Sequence, residues 1–257
     1  MSHWVFDLGN TRLKCAPLDA AGHLGEVTAL GHDAAGFAQA LRDHLPAQAD
    51  SACLASVASA ELTAAVVQVL SERFRRISRV RTQPILAGVR IAYAQPSKLG
   101  VDRFLALLAA HARGPGPWLL AGIGTALTID LLDASGQHRG GRIAPSPRLM
   151  RQALQQAAVQ LPAEGGEYQE FARDTEDALA SGCDGAALAL LERSLRLAEG
   201  ELGQPPRLLL HGGGVDALLA ELPEAQHAPA LVLEGVAVWA RLGQALGEGP
   251  AMDRIAG

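Results

Sequence analysis

The pattern of apolar and polar positions predicts short strands and helices that alternate along the chain. The first half reads as a strand, a polar turn and a returning strand within 5–16, and then a strand at 26–30, a helix at 34–45, a strand at 51–57, a helix at 61–74, a strand at 89–93 and a helix at 104–111. The second half reads as strands at 118–123 and 127–132, helices at 147–161 and 186–202, and a strand at 207–210. The segment 230–233 and a helix at 235–246 are expected to close the second domain, before a frayed tail at 247–257. Strands and helices therefore recur in both halves.

One strand-turn-strand unit occurs twice. Residues 5–14 read Val-Phe-Asp-Leu-Gly-Asn-Thr-Arg-Leu-Lys, and residues 118–132 repeat the order of apolar strand, Gly-Thr turn and apolar strand. A Gly-Pro-Gly-Pro sequence at 114–117 interrupts the helical pattern between them. The repeat predicts two similar domains, 1–114 and 115–257, that face each other and hold a phosphate between their turns.

The first turn carries side chains suited to a phosphate. Gly9 lets the backbone approach a ligand, and Asn10 and Thr11 supply donors for phosphate oxygens. Asp7 is placed to hold a divalent cation, and Lys14 can supply a positive charge. An ordinary hairpin turn explains the same segment, because Asn and Gly favour turns.

A second polar cluster, between Tyr93 and Arg103, precedes an apolar helix. Asp102 falls at the start of that helix, where a carboxylate serves either as a base or as an N-terminal cap. Tyr93 and Arg103 fit a pocket wall with an anion-binding group and an amphipathic ring.

Composition narrows the class of protein. Hydrophobic residues make up 49% and charged residues 19% of 257, which indicates a globular chain able to bury a large core. The net charge of -5 argues against a nucleic-acid surface. Five arginines within 73–81 fit a solvated helix end.

The cysteines and the hydrophobic runs bear on location. Cys15, Cys53 and Cys183 are widely spaced and fit reduced, buried thiols. We find no export signal and no apolar run of about 18 residues. The sequence therefore predicts a cytoplasmic protein without a membrane partner.

Several short motifs, in this order and spacing, resemble the type III pantothenate kinases of bacteria. They are residues 7–14, 100–103 (Gly-Val-Asp-Arg), 124–128 (Gly-Thr-Ala-Leu-Thr), 140–145, 175–182, 212–214 and 231–235. The resemblance covers nearly the whole chain. It implies an α/β fold of two ribonuclease-H-like domains around a central nucleotide cleft, as in the superfamily of acetate and sugar kinases, Hsc70 and actin.

The resemblance also implies ATP-dependent phosphorylation of pantothenate to 4'-phosphopantothenate, the first step of coenzyme A biosynthesis, by a homodimer that uses a divalent cation such as Mg²⁺. The implied ATP-binding residues are Asp7, Leu8, Gly9, Asn10, Thr11, Arg12, Leu13, Lys14, Gly124 and Thr125. The implied pantothenate-binding residues are Tyr93, Gly100, Val101, Asp102, Arg103 and Thr175, the last reaching the substrate of the partner subunit. Asp102 is the expected proton acceptor. Arg103 is expected to pair with the pantothenate carboxylate; stabilising Asp102 or forming a local salt bridge are its alternatives.

One departure from the family pattern concerns a monovalent cation. Family members commonly carry a cation-binding acid two residues before the Gly-Thr-Ala turn, and this chain has Gly122 there. We expect a weak potassium requirement or none, unless Asp130 or backbone carbonyls replace the acid. A smaller departure is Ser146, where glycine is usual, and it is expected to stiffen a substrate loop.

Two other functions remain open at this point. A kinase for another small hydroxy acid or sugar would keep the same fold and phosphate turns. A non-enzymatic accessory or regulatory protein is the second alternative, and the loss of the acid at Gly122 is its only support. ATP binding without turnover would distinguish it from a kinase.

Overall fold

The structure, a computed structural model, describes residues 2–32 and 36–245, without the side chains of 244 and 245. Contacts between residues divide the chain into two compact units. Unit 1 comprises residues 1–114 and 230–257, and unit 2 comprises residues 115–229.

Unit 1 is built on a five-stranded mixed sheet. Its strands are β1 (His3–Leu8), β2 (Arg12–Leu18), β3 (Thr28–Gly31), β4 (Ala49–Ser56) and β5 (Phe74–Arg79), in the order β3-β2-β1-β4-β5. The first three strands are antiparallel, whereas β4 and β5 continue the sheet in parallel. Phe6 and Leu8 of β1 pack with helices α1 (Phe37–His44) and α2 (Ala60–Ser71) in one hydrophobic core. Since side chains alternate along a strand, Asp7 lies on the opposite face.

A small hairpin and a third helix follow. The hairpin consists of β6 (Ile85–Leu86) and β7 (Val89–Arg90), and a short 3-10 turn at Pro96–Lys98 leads into α3 (Val101–Ala112). Helix α7 (Leu231–Ala245) packs against α3, and Gly235 lets it approach closely because a side chain there would strike the Leu105 carbonyl oxygen. The guanidinium of Arg113 donates to the Glu234 carboxylate over 2.7 Å and ties the two helices together.

Unit 2 repeats the arrangement of unit 1. Its strands are β8 (Trp118–Ile123), β9 (Ala126–Leu132), β10 (His138–Pro145), β11 (Arg207–His211) and β12 (Gln226–His227), in the order β10-β9-β8-β11-β12. Helices α4 (Pro147–Ala157), α5 (Thr175–Leu202) and α6 (Asp216–Leu219) complete the unit. Alternate residues of β8, β9 and β11 pack against α5 and α6, which leaves the intervening residues on the other face.

The two sheets have the same topology. In each, the first three strands form an antiparallel meander, the fourth strand pairs in parallel with the first, and the fifth pairs in parallel with the fourth. This order confirms the predicted α/β class and shows that the sequence repeat reflects a repeated structural unit.

The prediction that the segment 230–233 and a helix at 235–246 close the second domain is wrong. Residues 231–233 already belong to helix α7, and α7 contacts α3, β1 and β2 of unit 1. An amphipathic helix can pack its apolar face against any apolar surface. The position of α7 in the sequence therefore did not determine to which unit it belongs. The predicted tail at 247–257 and residues 34 and 35 of the first predicted helix lie outside the described residues.

The arginine cluster also lies in a different element. The predicted helix 61–74 ends at Ser71, and Phe74–Arg79 is the edge strand β5. Arg75 and Arg76 are exposed there, where charged side chains discourage further strands from pairing. The sequence pattern also missed β10 and underestimated α5, which begins at Thr175 and not near 186. In the described residues, no helix is long and apolar enough to cross a membrane.

Candidate active site

The turn between β1 and β2 is closed by a backbone hydrogen bond and is held by a second hydrogen bond from a histidine side chain. The Gly9 amide donates to the Arg12 carbonyl over 3.0 Å, and the side chains of Asn10 and Thr11 are exposed. Nε2 of His32 donates to the Gly9 carbonyl over 3.1 Å, and the His32 ring lies edge-on to Phe37 at 5.9 Å. Sequence reasoning missed His32, because only the β2–β3 pairing brings it to the turn.

Asp7 lies beside two other charged groups of unit 1. It pairs in register with Lys14 across β1 and β2. Burial and, second, the negative charge of Asp102 raise the pKa of Asp7 from 3.8 to about 7 against the opposing effect of Lys14. The predicted members Asp7, Lys14 and Asp102, far apart in sequence, are therefore brought into one electrostatic cluster.

Asp102 occupies the first turn of α3. The capping position is Gly100, which has no side chain to cap the helix. The alternative prediction, that Asp102 is the N-terminal cap, is therefore wrong. Oδ1 of Asp102 accepts a hydrogen bond from the Arg103 amide over 2.9 Å, and negative charge there is favoured by the helix dipole. A Cβ on Gly100 would lie 2.6 Å from Oδ1, so glycine makes room for the carboxylate.

Tyr93 and Arg103 contact each other next to this helix start. The Arg103 side chain is buried, with 6% of the residue exposed. Its Nη1 donates to the Tyr93 hydroxyl over 3.3 Å, and its Cζ lies 5.8 Å from the centre of the ring. The predicted pocket wall thus consists of two side chains that orient each other, although Tyr93 follows the hairpin and is not in a strand.

The matching turn of unit 2 is also closed by a hydrogen bond between backbone groups, over a shorter span of residues. The Gly124 amide donates to the Ala126 carbonyl over 2.9 Å, and Thr125 is exposed. The hydroxyl of Ser146 donates to the Thr125 carbonyl over 2.9 Å while it caps α4 by accepting from the Leu149 amide. Ser146 therefore fastens the second turn, a contact that the sequence did not reveal.

Gly122 lies between two polar side chains. It pairs in register with Thr128 of β9 on one side and with His211 of β11 on the other. A Cβ on Gly122 would lie 2.8 Å from the Thr128 hydroxyl and 2.9 Å from Nε2 of His211. The position expected to hold a cation-binding acid thus has no side-chain oxygen, and a side chain there would displace Thr128 or His211.

Asp130, one of the expected substitutes for the missing acid, is buried against another side chain. Oδ1 of Asp130 lies 2.9 Å from Nε2 of His138, and these residues are 3% and 0% exposed. In the part of the chain that the structure describes, no group of three or more His, Cys, Asp or Glu side chains could hold a metal.

Thr175 lies in unit 2, at the amino terminus of α5. Asp174 caps the helix by accepting from the Asp177 amide over 2.9 Å, and Thr175 is exposed. The loop before it is held to the helix, because the Glu167 amide donates to Asp177 over 2.8 Å. Thr175 lines a cavity of about 530 Å³ with Arg173 and Leu161.

The repeated sheet and its paired turns define the class of protein. Similar solved structures include an archaeal actin homologue, at 10% identity and a TM-score of 0.53 over 94% of this chain and 99% of that one. A conserved Campylobacter jejuni protein assigned to the Baf family of transcriptional activators matches with a TM-score of 0.61 at 17% identity over 95% of this chain and 98% of that one. The fold is that of the actin-like ATPases and sugar kinases.

Sequence comparison narrows this class to one family. The family model for type III pantothenate kinases matches residues 4–196. Type III pantothenate kinases from Stenotrophomonas maltophilia and Xanthomonas campestris are each 58% identical over 240 residues, 93% of this chain and 98% of theirs. The chain belongs to the type III pantothenate kinase family.

Proposed function

We propose that this protein transfers the γ-phosphoryl group of ATP to pantothenate, forming 4'-phosphopantothenate in the first step of coenzyme A biosynthesis. The observation that carries the proposal is the cluster of Asp7, Lys14 and Asp102 beside the closed turn at Gly9. Membership of the family supplies the substrate.

Asp102 is the proton acceptor in this proposal. The primary hydroxyl of pantothenate loses its proton as the phosphoryl group arrives, and the Asp102 carboxylate at the helix amino terminus would accept it. The hydrogen bond from the Arg103 amide and the space left by Gly100 support this role by setting the orientation of the carboxylate.

Arg103 and Tyr93 form the substrate side of the site. A buried guanidinium binds a carboxylate strongly, because little water screens the charges, and its planar donors match both oxygens. The contact with the Tyr93 hydroxyl holds the guanidinium in place. Gly100 and Val101 shape the same wall at the start of α3.

ATP is proposed to bind through both turns. Residues 7–14 and the pair Gly124 and Thr125 supply backbone and hydroxyl donors, and Lys14 supplies positive charge. Asp7 would hold Mg²⁺, which neutralises phosphate charge; one or two carboxylates with substrate phosphates are the usual Mg²⁺ ligands. The mutual repulsion of Asp7 and Asp102 fits such an ion, since a cation would relieve it.

The active form is proposed to be a cytoplasmic homodimer joined through unit 2. Phe171, Val159 and Ile143 are 93%, 86% and 67% exposed, which is unusual for large apolar side chains. An apolar groove of about 690 Å³ lies between α4 and α5, with Leu149, Leu154 and Leu179 in its walls. Thr175, at the amino terminus of α5, would then reach the pantothenate of the partner subunit.

The direct experiment measures ATP-dependent phosphorylation of pantothenate with Mg²⁺ for the wild type, Asp102→Asn and Asp43→Asn. Asp43 is an exposed aspartate of α1, so its variant controls for the loss of one surface charge. We expect Asp102→Asn to bind both substrates yet lose about 100-fold or more in kcat, with Asp43→Asn unchanged. Near-normal turnover by Asp102→Asn would remove it as the base.

The dimer has a separate test. Light scattering should give twice the mass of one chain, and Phe171→Ser should weaken association if this side chain lies in the interface. A monomeric wild type that is fully active would contradict the proposed assembly.

A further inference from the structure

The side chains around Gly122 form a closed polar cluster on one face of the unit 2 sheet. Thr128, Gly122 and His211 lie side by side on three neighbouring strands, β9, β8 and β11. With no side chain on Gly122, the His211 ring and the Thr128 hydroxyl both reach to within 2.9 Å of the position where its Cβ would be. Even a methyl group at this position would have to displace one of them.

His211 also leads into a turn that is fastened to the second phosphate turn. The Gly214 amide donates to the Ile123 carbonyl over 3.0 Å. Gly212 has a φ of 102°, and a side chain there would strike the same carbonyl oxygen. The turn 211–214 and the turn 123–126 are thus joined at the carboxyl ends of β11 and β8, which are parallel. In sheets of this type ligands bind beyond the carboxyl ends of parallel strands.

We propose that His211 has replaced the monovalent-cation site of this family: its imidazole closes the position over Gly122 and itself orients the bound nucleotide, so that this enzyme needs no monovalent cation. The inference rests on the proposed ATP-binding role of the Gly124 turn. A ring N–H is a suitable donor to a phosphate oxygen, and it performs this task without a bound ion. Asp130, engaged by His138, is not available as a substitute ligand.

The first experiment measures the ATP dissociation constant by calorimetry and the rate of pantothenate phosphorylation, each in potassium, sodium and tetramethylammonium chloride. Tetramethylammonium is too large for a site of this kind. We expect affinity and rate to agree within about twofold in the three salts, since a factor of 2 is well below the effect of one charged contact. Activation by potassium of about tenfold or more would overturn the proposal.

The second experiment replaces His211. We expect His211→Ala to bind ATP about 10- to 100-fold more weakly, the loss typical of one hydrogen bond to a charged group. His211→Gln retains an N–H donor and should recover part of the affinity, and added imidazole should partly restore His211→Ala. A merely structural histidine would show neither recovery.

His227→Ala is the matched control, because His227 is an exposed histidine on β12 of the same sheet. Unchanged ATP affinity in His211→Ala, with the fold intact by circular dichroism, would overturn the proposal. These experiments distinguish the role proposed for His211 from the proposed function. If pantothenate is not phosphorylated but ATP affinity still depends on His211 and not on potassium, the proposed substrate is wrong and the role of His211 stands.

Discussion

The raised pKa of Asp7 predicts that this side chain, which we propose holds the divalent cation, destabilises the folded protein at neutral pH. In the unfolded chain this carboxyl ionises near 3.8, whereas in the folded chain its pKa is about 7. Between these two values the folded state holds a proton that the unfolded state has released. The free energy of unfolding therefore falls as pH rises through this window, and the penalty is complete above about pH 7.

The magnitude follows from the size of the shift. Each pH unit between the two pKa values corresponds to about 1.4 kcal/mol, so the full penalty is about 4 kcal/mol. Asp7→Asn removes the ionisation. Its stability relative to the wild type should increase by about 2 to 3 kcal/mol between about pH 5 and about pH 8. Comparing two pH values cancels the effects of the substitution that do not depend on ionisation.

The assay is urea denaturation at both pH values, with EDTA and without nucleotide, so that no bound cation lowers the pKa of Asp7. Asp133→Asn is the control: hydrogen bonds from Ser135 and Gln137 outweigh burial and lower the pKa of Asp133, so both of its states are ionised by about pH 5. That variant should show no change in relative stability between the two pH values.

The reasoning is refuted if the relative stability of Asp7→Asn is as flat with pH as that of Asp133→Asn. We expect the stabilised variant to lose phosphorylation of pantothenate, because the same carboxylate is proposed to hold the divalent cation. Asp102→Asn should reduce the pH dependence only in part, since burial is the larger cause of the shift.

Three further substitutions test the geometry. Gly100→Ala would place a methyl group 2.6 Å from Oδ1 of Asp102. We expect kcat to fall by about 100-fold with an unchanged circular dichroism spectrum. A normal kcat would show that the present orientation of the Asp102 carboxylate is not needed. Ala87→Gly should raise the free energy of unfolding by about 1 kcal/mol in urea, because Ala87 has a φ of 49°, and a loss of stability would contradict the left-handed turn. Gly200→Ala should raise the free energy of unfolding in urea by about 0.8 kcal/mol, since nothing lies within 4 Å of the new methyl group in the last turns of α5. A decrease in the free energy of unfolding would mean that the helix is shorter than described.

The sequence-based predictions were most accurate where structure depends on neighbouring residues. Both strand-turn-strand units were predicted, because alternation of apolar residues and the Gly-Asn-Thr and Gly-Thr turns are local signals. The start of α3 near Asp102 was located for the same reason. Strand β10, with glycines at 140 and 141 and little alternation, gave no such signal and was missed.

Three contacts of the candidate site could not be predicted from the chain alone. His32 reaches Gly9, Ser146 reaches Thr125 and His211 reaches Gly122 only through strand pairing and packing between distant segments. A histidine beside glycines has no distinctive local pattern, so the sequence alone did not single out His211. Its significance depends on the register that places it opposite Gly122.

The sequence by itself determined the repeated units, the polar turns and the positions of Asp7, Asp102 and Arg103, since turn chemistry and hydrophobic periodicity are properties of short segments. Tertiary structure alone decided that α7 packs in unit 1, that Asp7 has a pKa of about 7, and that His211 covers Gly122. Each of these depends on burial and on the distance between residues far apart in the chain. Both burial and these distances are set only when the sheets have formed and the helices have packed against them.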